Sequence, residues 1–123
     1  AAYPVLVSAV DADGNAVGGV RHPAQRVPRA TLLGWNLRAA GYGEGDLYSS
    51  IGSRIPFAET QAERLAEGDP RLSIEERYAS VEDLAAQLRS VCDEMIATRM
   101  LLPEDAERML VAALSGANVL TVA

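Results

Sequence analysis

Lysine is missing from this 123-residue chain, and cysteine, histidine, tryptophan and phenylalanine each occur once. A single cysteine, Cys92, excludes an internal disulfide and a cysteine-rich zinc site. Set in a helical pattern, it reads as a small buried apolar residue. No apolar run approaches the ~20 residues that cross a bilayer. No basic stretch leads into an apolar one as it does in a secretory leader. Acids outnumber arginines 17 to 11, for a net charge of −6. An acidic chain without lysine repels phosphate backbones and anionic headgroups, which argues against nucleic acid and membrane surfaces as partners.

The length suits one domain, and a chain this size buries roughly two-thirds of its unfolded surface. Alanine, at 21 positions, thins the core, because each one buries little area. Charge is divided unevenly. Residues 1–56 carry five arginines against four acids, whereas residues 57–123 carry six against thirteen. The first stretch reads as a strand-and-loop half and the second as an acidic helical half. The fold class expected is α+β: an N-terminal β-hairpin and irregular loops, then three or four helices, the last two an antiparallel pair. They form either one domain or part of a larger one.

Pro4–Val10 and Ala16–Val20 are short apolar runs around Asp11-Ala12-Asp13-Gly14-Asn15, whose Asp-Gly step predicts a hairpin turn. The alternation of Asp11, Asp13 and Asn15 suggests a calcium loop. An EF-hand, however, needs glycine sixth and an acid twelfth, and here the glycine is fourth and His22 is twelfth. Residues 21–56 are the least regular. Thr31–Leu37 is expected to be a strand with Trp35 on its buried face, and 42–53 a long loop. From Phe57 the period is helical. Ala58, Ala62, Leu65 and Ala66 share a face, and Gly68 stops that helix. Ser73 and Glu76 have capping-box spacing, and Ser80–Asp83 repeats the signal. Leu84, Leu88, Val91, Cys92, Met95 and Ile96 form the strongest stripe. Pro103 begins a last helix with Ala106, Met109, Leu110, Ala113 and Leu114 inward, ended by Gly116.

Motifs that carry chemistry are few. There is no G-x-S-x-G elbow, Walker loop, dinucleotide fingerprint or H-E-x-x-H, and nothing implies a cofactor or a metal. Gly41-Tyr42-Gly43-Glu44-Gly45 lacks the helix and lysine of a phosphate cradle. His22, in an Arg-His-Pro loop, stands where a hydrolase base could sit. Beside proline it reads first as a surface or packing residue, and no catalytic residue is assigned. Trp35 and Asn36 read as an indole core anchor and a turn-holding amide, with a cleft-lining role as the alternative. Arg21, Arg38 and Arg54 are expected to pair with helical acids.

Several blocks carry a resemblance: Tyr3-Pro4-Val5-Leu6-Val7, Val10 to Asn15, Gly19-Val20-Arg21-His22-Pro23, Gly34-Trp35-Asn36-Leu37-Arg38, Gly52 to Phe57, and Leu101 to Ala106. Together they resemble the C-terminal segment of the bacterial alpha/beta hydrolase domain-containing proteins, a tannase-like group. The resemblance implies an α/β-hydrolase core with a Ser-His-acid triad acting on an ester-like bond. It places those catalytic residues upstream of Ala1, so none is carried onto a position here, and it implies no fixed histidine at position 22. A chain opening on Ala1 is expected to have lost its start to processing or cropping. In that reading Trp35, Asn36 and Arg54 line the substrate cleft, and the partner is the remainder of the parent hydrolase. The competing reading is a stand-alone interaction module whose helices at 81–100 and 103–115 serve a partner or a homodimer.

Overall fold

The structure, a computed structural model, describes Leu6 and residues 8–115. Pro4, Val5 and Val7 of the first expected strand, and the stop at Gly116, lie outside the described residues. The Asp11–Asn15 turn forms as expected. Asp11 Oδ1 accepts from the amides of Asp13 and Asn15, both at 3.0 Å, and Val10 bridges Ala16. The second arm of this hairpin does not extend into a strand, because Gly18 and Gly19 follow and Val17 and Val20 are exposed.

The turn's main role is to hold the next element. Asn15 is fully buried; its Nδ2 donates to Ala30 O at 3.1 Å, and its Oδ1 accepts from Leu32 N at 2.8 Å. One carboxamide thus satisfies two backbone groups on the outer edge of strand β1 (Ala30–Leu33), as a neighbouring strand would. On its other edge β1 pairs antiparallel with β4 (Ser53–Pro56), from Ala30↔Pro56 to Leu33↔Ser53. Phe57 N donates to Arg29 O, so Ala30↔Pro56 and Leu32↔Arg54 are the non-hydrogen-bonded pairs. Pro56, lacking an N–H, therefore costs the ladder nothing.

Between those strands the expected loop carries a second ladder, β2 (Asn36–Leu37) with β3 (Leu47–Tyr48). The two ladders are out of register by two residues. Gly34 and Trp35 lie in the break, and Trp35 is 42% exposed. The expectation of a buried indole is therefore corrected: the strand ends before Trp35 reaches the inner face. Gly52 is required at the same break, since a Cβ there would stand 2.5 Å from Leu33 O.

Arginines clamp the other face of the β1–β4 ladder. Arg71 donates to Thr31 Oγ1 at 2.9 Å and to Ile55 O at 3.1 Å, while also binding Asp69. Arg77 forks onto Asp13 of the first turn, one arm at 2.8 Å. Both guanidiniums lie over the ring of buried Phe57, 5.1 and 4.3 Å from its centroid, a favourable arrangement for a cation on an aromatic face.

The second half holds four helices among the described residues: α2 (Gln61–Glu67), α3 (Ile74–Arg77), α4 (Val81–Ala97) and α5 (Pro103–Leu114). A further single turn, α1 (Pro23–Arg26), occupies the stretch expected to be irregular. Pro23 begins it because a first-turn proline loses no intrahelical bond. The capping box Ser73/Glu76 and the Ser80 cap form as expected, and Gly68 closes α2 in the left-handed conformation. The Ala58–Ala66 face of α2, however, is not covered: α2 buries no residue, and Leu65 is 63% exposed.

Helices α4 and α5 pack as the expected antiparallel pair. Leu84, Leu88 and Cys92 meet Ala106 and Leu110 in one core, joined by Val27 and Tyr78. Burying each leucine contributes about 1.5–3 kcal/mol. Arg89 and Glu107 bridge the pair at its surface, 3.1 Å apart.

Candidate functional site

Side chains alternate across a strand, so Ala30, Leu32 and Arg54 share one face of the β1–β4 ladder. That face, α1 and the α4–α5 pair enclose a cleft of about 50 Å³. Ordinary ligand pockets run from ~300 to ~1,000 Å³, so this one takes a small fragment. Its walls are mostly apolar, with Pro23, Val27, Leu32, Leu88 and Met109 among them, and Arg29, Arg54 and His22 supply the polar groups.

His22 is the N-cap of α1. Its Nδ1 accepts from Ala24 N at 3.1 Å, and its own amide donates to the Gln25 side chain at 3.2 Å. Burial pushes its pKa down, favouring the neutral ring, and because Nδ1 accepts, that ring carries its proton on Nε2. A triad base requires the reverse, with Nδ1–H donated to a carboxylate and Nε2 free to take the serine proton. The packing reading of His22 therefore describes its geometry. Cys92, buried in the helix pair with its thiol pushed up by burial, is a poor nucleophile.

Of the three expected cleft residues, only Arg54 lines this cleft. Trp35 and Asn36 lie on the exposed arm formed by β2, β3 and their connections. Asn36 Oδ1 is turned onto the amide of Leu37 at 2.8 Å, and Trp35 O accepts from Ser53 Oγ at 2.8 Å. The expected pairing of arginines with helical acids is also corrected. Arg21 binds Asp11 at 2.6 Å, Arg38 lies over Tyr48, and Arg54 has no ion-pair partner among the described residues.

Five residues of the lining, Ala24, Val27, Arg29, Ala30 and Leu32, are not among those the sequence marks. Arg29 Nη1 donates to Ala113 O at 2.9 Å, while its buried Nε finds no partner among the described residues. The two-residue period through Ala30, Leu32 and the facing Arg54 was the available signal for Leu32; Arg29 gave none. The Asp11 and Asp13 carboxylates are held by Arg21 and Arg77, which disposes of the calcium-loop alternative on charge grounds.

Across the described residues the strands pair only antiparallel, in two short ladders. A family model described as an alpha/beta hydrolase domain matches residues 5–111 of the chain. No curated protein and no solved structure matches it.

Proposed function

The chain belongs to the alpha/beta hydrolase domain family, and we propose that within it the chain is the C-terminal, non-catalytic segment of an esterase-like protein. In this reading it covers the core of the catalytic portion and forms one side of the substrate cleft. The sequence blocks that carry the resemblance support kinship with the tannase-like bacterial members of that family. Trp35 and Asn36 supply contact area along the arm, and Arg54 faces the cleft with its cation.

The observation that carries this reading is the arm itself. Trp35, Leu37, Tyr42, Leu47 and Ile51 are each exposed along it, which supports a surface that another part of the protein covers. The occupied Nδ1 of His22 supports the absence of a catalytic role for this histidine. The alternative, a homodimer through the long helices, is less well supported, because the α4 and α5 stripes are spent on each other.

The test is turnover of a p-nitrophenyl ester by the purified chain. The expected result is no hydrolysis above buffer, with His22→Ala making no difference. Robust turnover abolished by His22→Ala would remove the proposal.

A further inference from the structure

The geometry points to a small-carboxylate binding site in the cleft between the β1–β4 ladder, α1 and the α4–α5 pair. Its ligand class is a free monocarboxylate with a short branched apolar tail. The tail sits between Leu32, Leu88 and Met109, and the carboxylate lies on Arg54 at the lip. The site shares Arg54 with the hydrolase reading but does not rest on it, because binding by this chain alone needs no catalytic portion.

Three observations carry it. First, charge: the protein is acidic, at −6 overall, yet the cleft lining contains two arginines and no carboxylate. Eight of the arginines have a carboxylate partner within 4.0 Å, whereas Arg54 has none among the described residues. A guanidinium fork presents the planar pair of N–H donors that a carboxylate takes.

Second, position: Arg54 is directly opposite Leu32 in a non-hydrogen-bonded pair, where facing side chains are closest. The cation therefore stands beside the apolar wall. Arg29, in the same lining, is held by Ala113 O and by Glu59 at 4.0 Å, which leaves Arg54 as the cleft's free cation among the described residues.

Third, size and neutrality: at about 50 Å³ the cleft is roughly a third of the ~150 Å³ apolar cavity that takes a benzene ring. That suits a two- or three-carbon branch and excludes an aromatic acid. His22 closes one side, and burial favours its neutral ring, which neither competes for the anion nor repels Arg54.

The experiment is an amide chemical-shift titration of the intact protein with isovalerate. Saturable shifts are expected at Leu32, Arg54, Leu88 and Met109. Acetate, with the charge and no tail, and isoamyl alcohol, with the tail and no charge, should each bind about tenfold more weakly or worse. Arg54→Gln, at an exposed position, should weaken isovalerate about tenfold, Arg54→Lys should lose less, and Ala113→Leu should narrow the cleft and abolish binding with an unchanged melting curve. No saturable shift, acetate binding as tightly as isovalerate, or Arg54→Gln binding like the wild type would each overturn the site.

Discussion

The two halves of this molecule are held together by different forces. In the helical half, Leu84, Leu88, Cys92, Ala106 and Leu110 form a continuous apolar seam, and the ion pairs around it are surface trim. In the strand half, Asn15 and Asp13 do the fastening together with Arg71 and Arg77, which reach over from the helical half, and few apolar side chains are buried. An apolar seam tolerates a change in one member by degrees. A polar lock is all-or-none at each group, because a buried donor or acceptor without its partner loses water and gains nothing.

Mutation of each half should expose that contrast. Leu88→Ala should have the largest effect, about 2–5 kcal/mol, read as a lower denaturant midpoint for the whole chain. Asn15→Ala should follow. It strands the buried Ala30 O, at about 1–3 kcal/mol, while water can reach the part-buried Leu32 N, and it should raise amide exchange in β1 before α4 is affected. If the α4 amides lose protection first, the strand half is not locked by Asn15.

Acid sharpens the same contrast. The hydrogen bond from Arg71 lowers the Asp69 pKa from 3.8 to about 2, and that from Arg64, with the Ser73 amide, lowers Glu76 from 4.5 to about 2. Both carboxylates are more acidic in the folded chain, so they stabilise it at pH values above about 4.5 and lose that contribution as pH falls towards 2. Melting temperatures taken between pH 5 and pH 2 should therefore fall, and Asp69→Asn should flatten part of the slope. Leu88→Ala should lower the curve without changing its shape.

The smallest effect is expected at a helix end. Helices α2 and α4 close with the same pair of bonds, Gly68 N to Leu65 O and Asp69 N to Arg64 O in one, Arg99 N to Ile96 O and Met100 N to Met95 O in the other. Gly68 sits at φ 68°, which glycine adopts freely, but α4 places Arg99 at φ 60°. A non-glycine residue pays ~1–2 kcal/mol there, so Arg99→Gly should stabilise the chain by about 1 kcal/mol in denaturant unfolding.

Helices were legible in the sequence where caps and stripes agreed. Ser73/Glu76, Ser80, Pro103 and the Leu84–Met95 stripe are local signals, and they end in the positions those signals dictate. The α2 face was misleading because a shared apolar face does not say what will cover it. Trp35 was misplaced because the break in register between the two ladders is a long-range property of Gly34 and Gly52. The role of Asn15 was hidden for the same reason: its partners are 15 and 17 residues away. Of the expected site residues, Arg54 alone reaches the cleft, because strand alternation places it opposite Leu32.

The proposed function makes the apolar arm at 35–55 a surface covered by the rest of a hydrolase. Hydrophobic-dye fluorescence of the 123-residue chain, compared with a Trp35→Ser, Leu37→Ser, Leu47→Ser variant, tests it most directly. Strong dye binding that falls sharply in the variant, with the melting transition unchanged, is the predicted result. A wild-type chain that melts cooperatively and leaves the dye dark would contradict it.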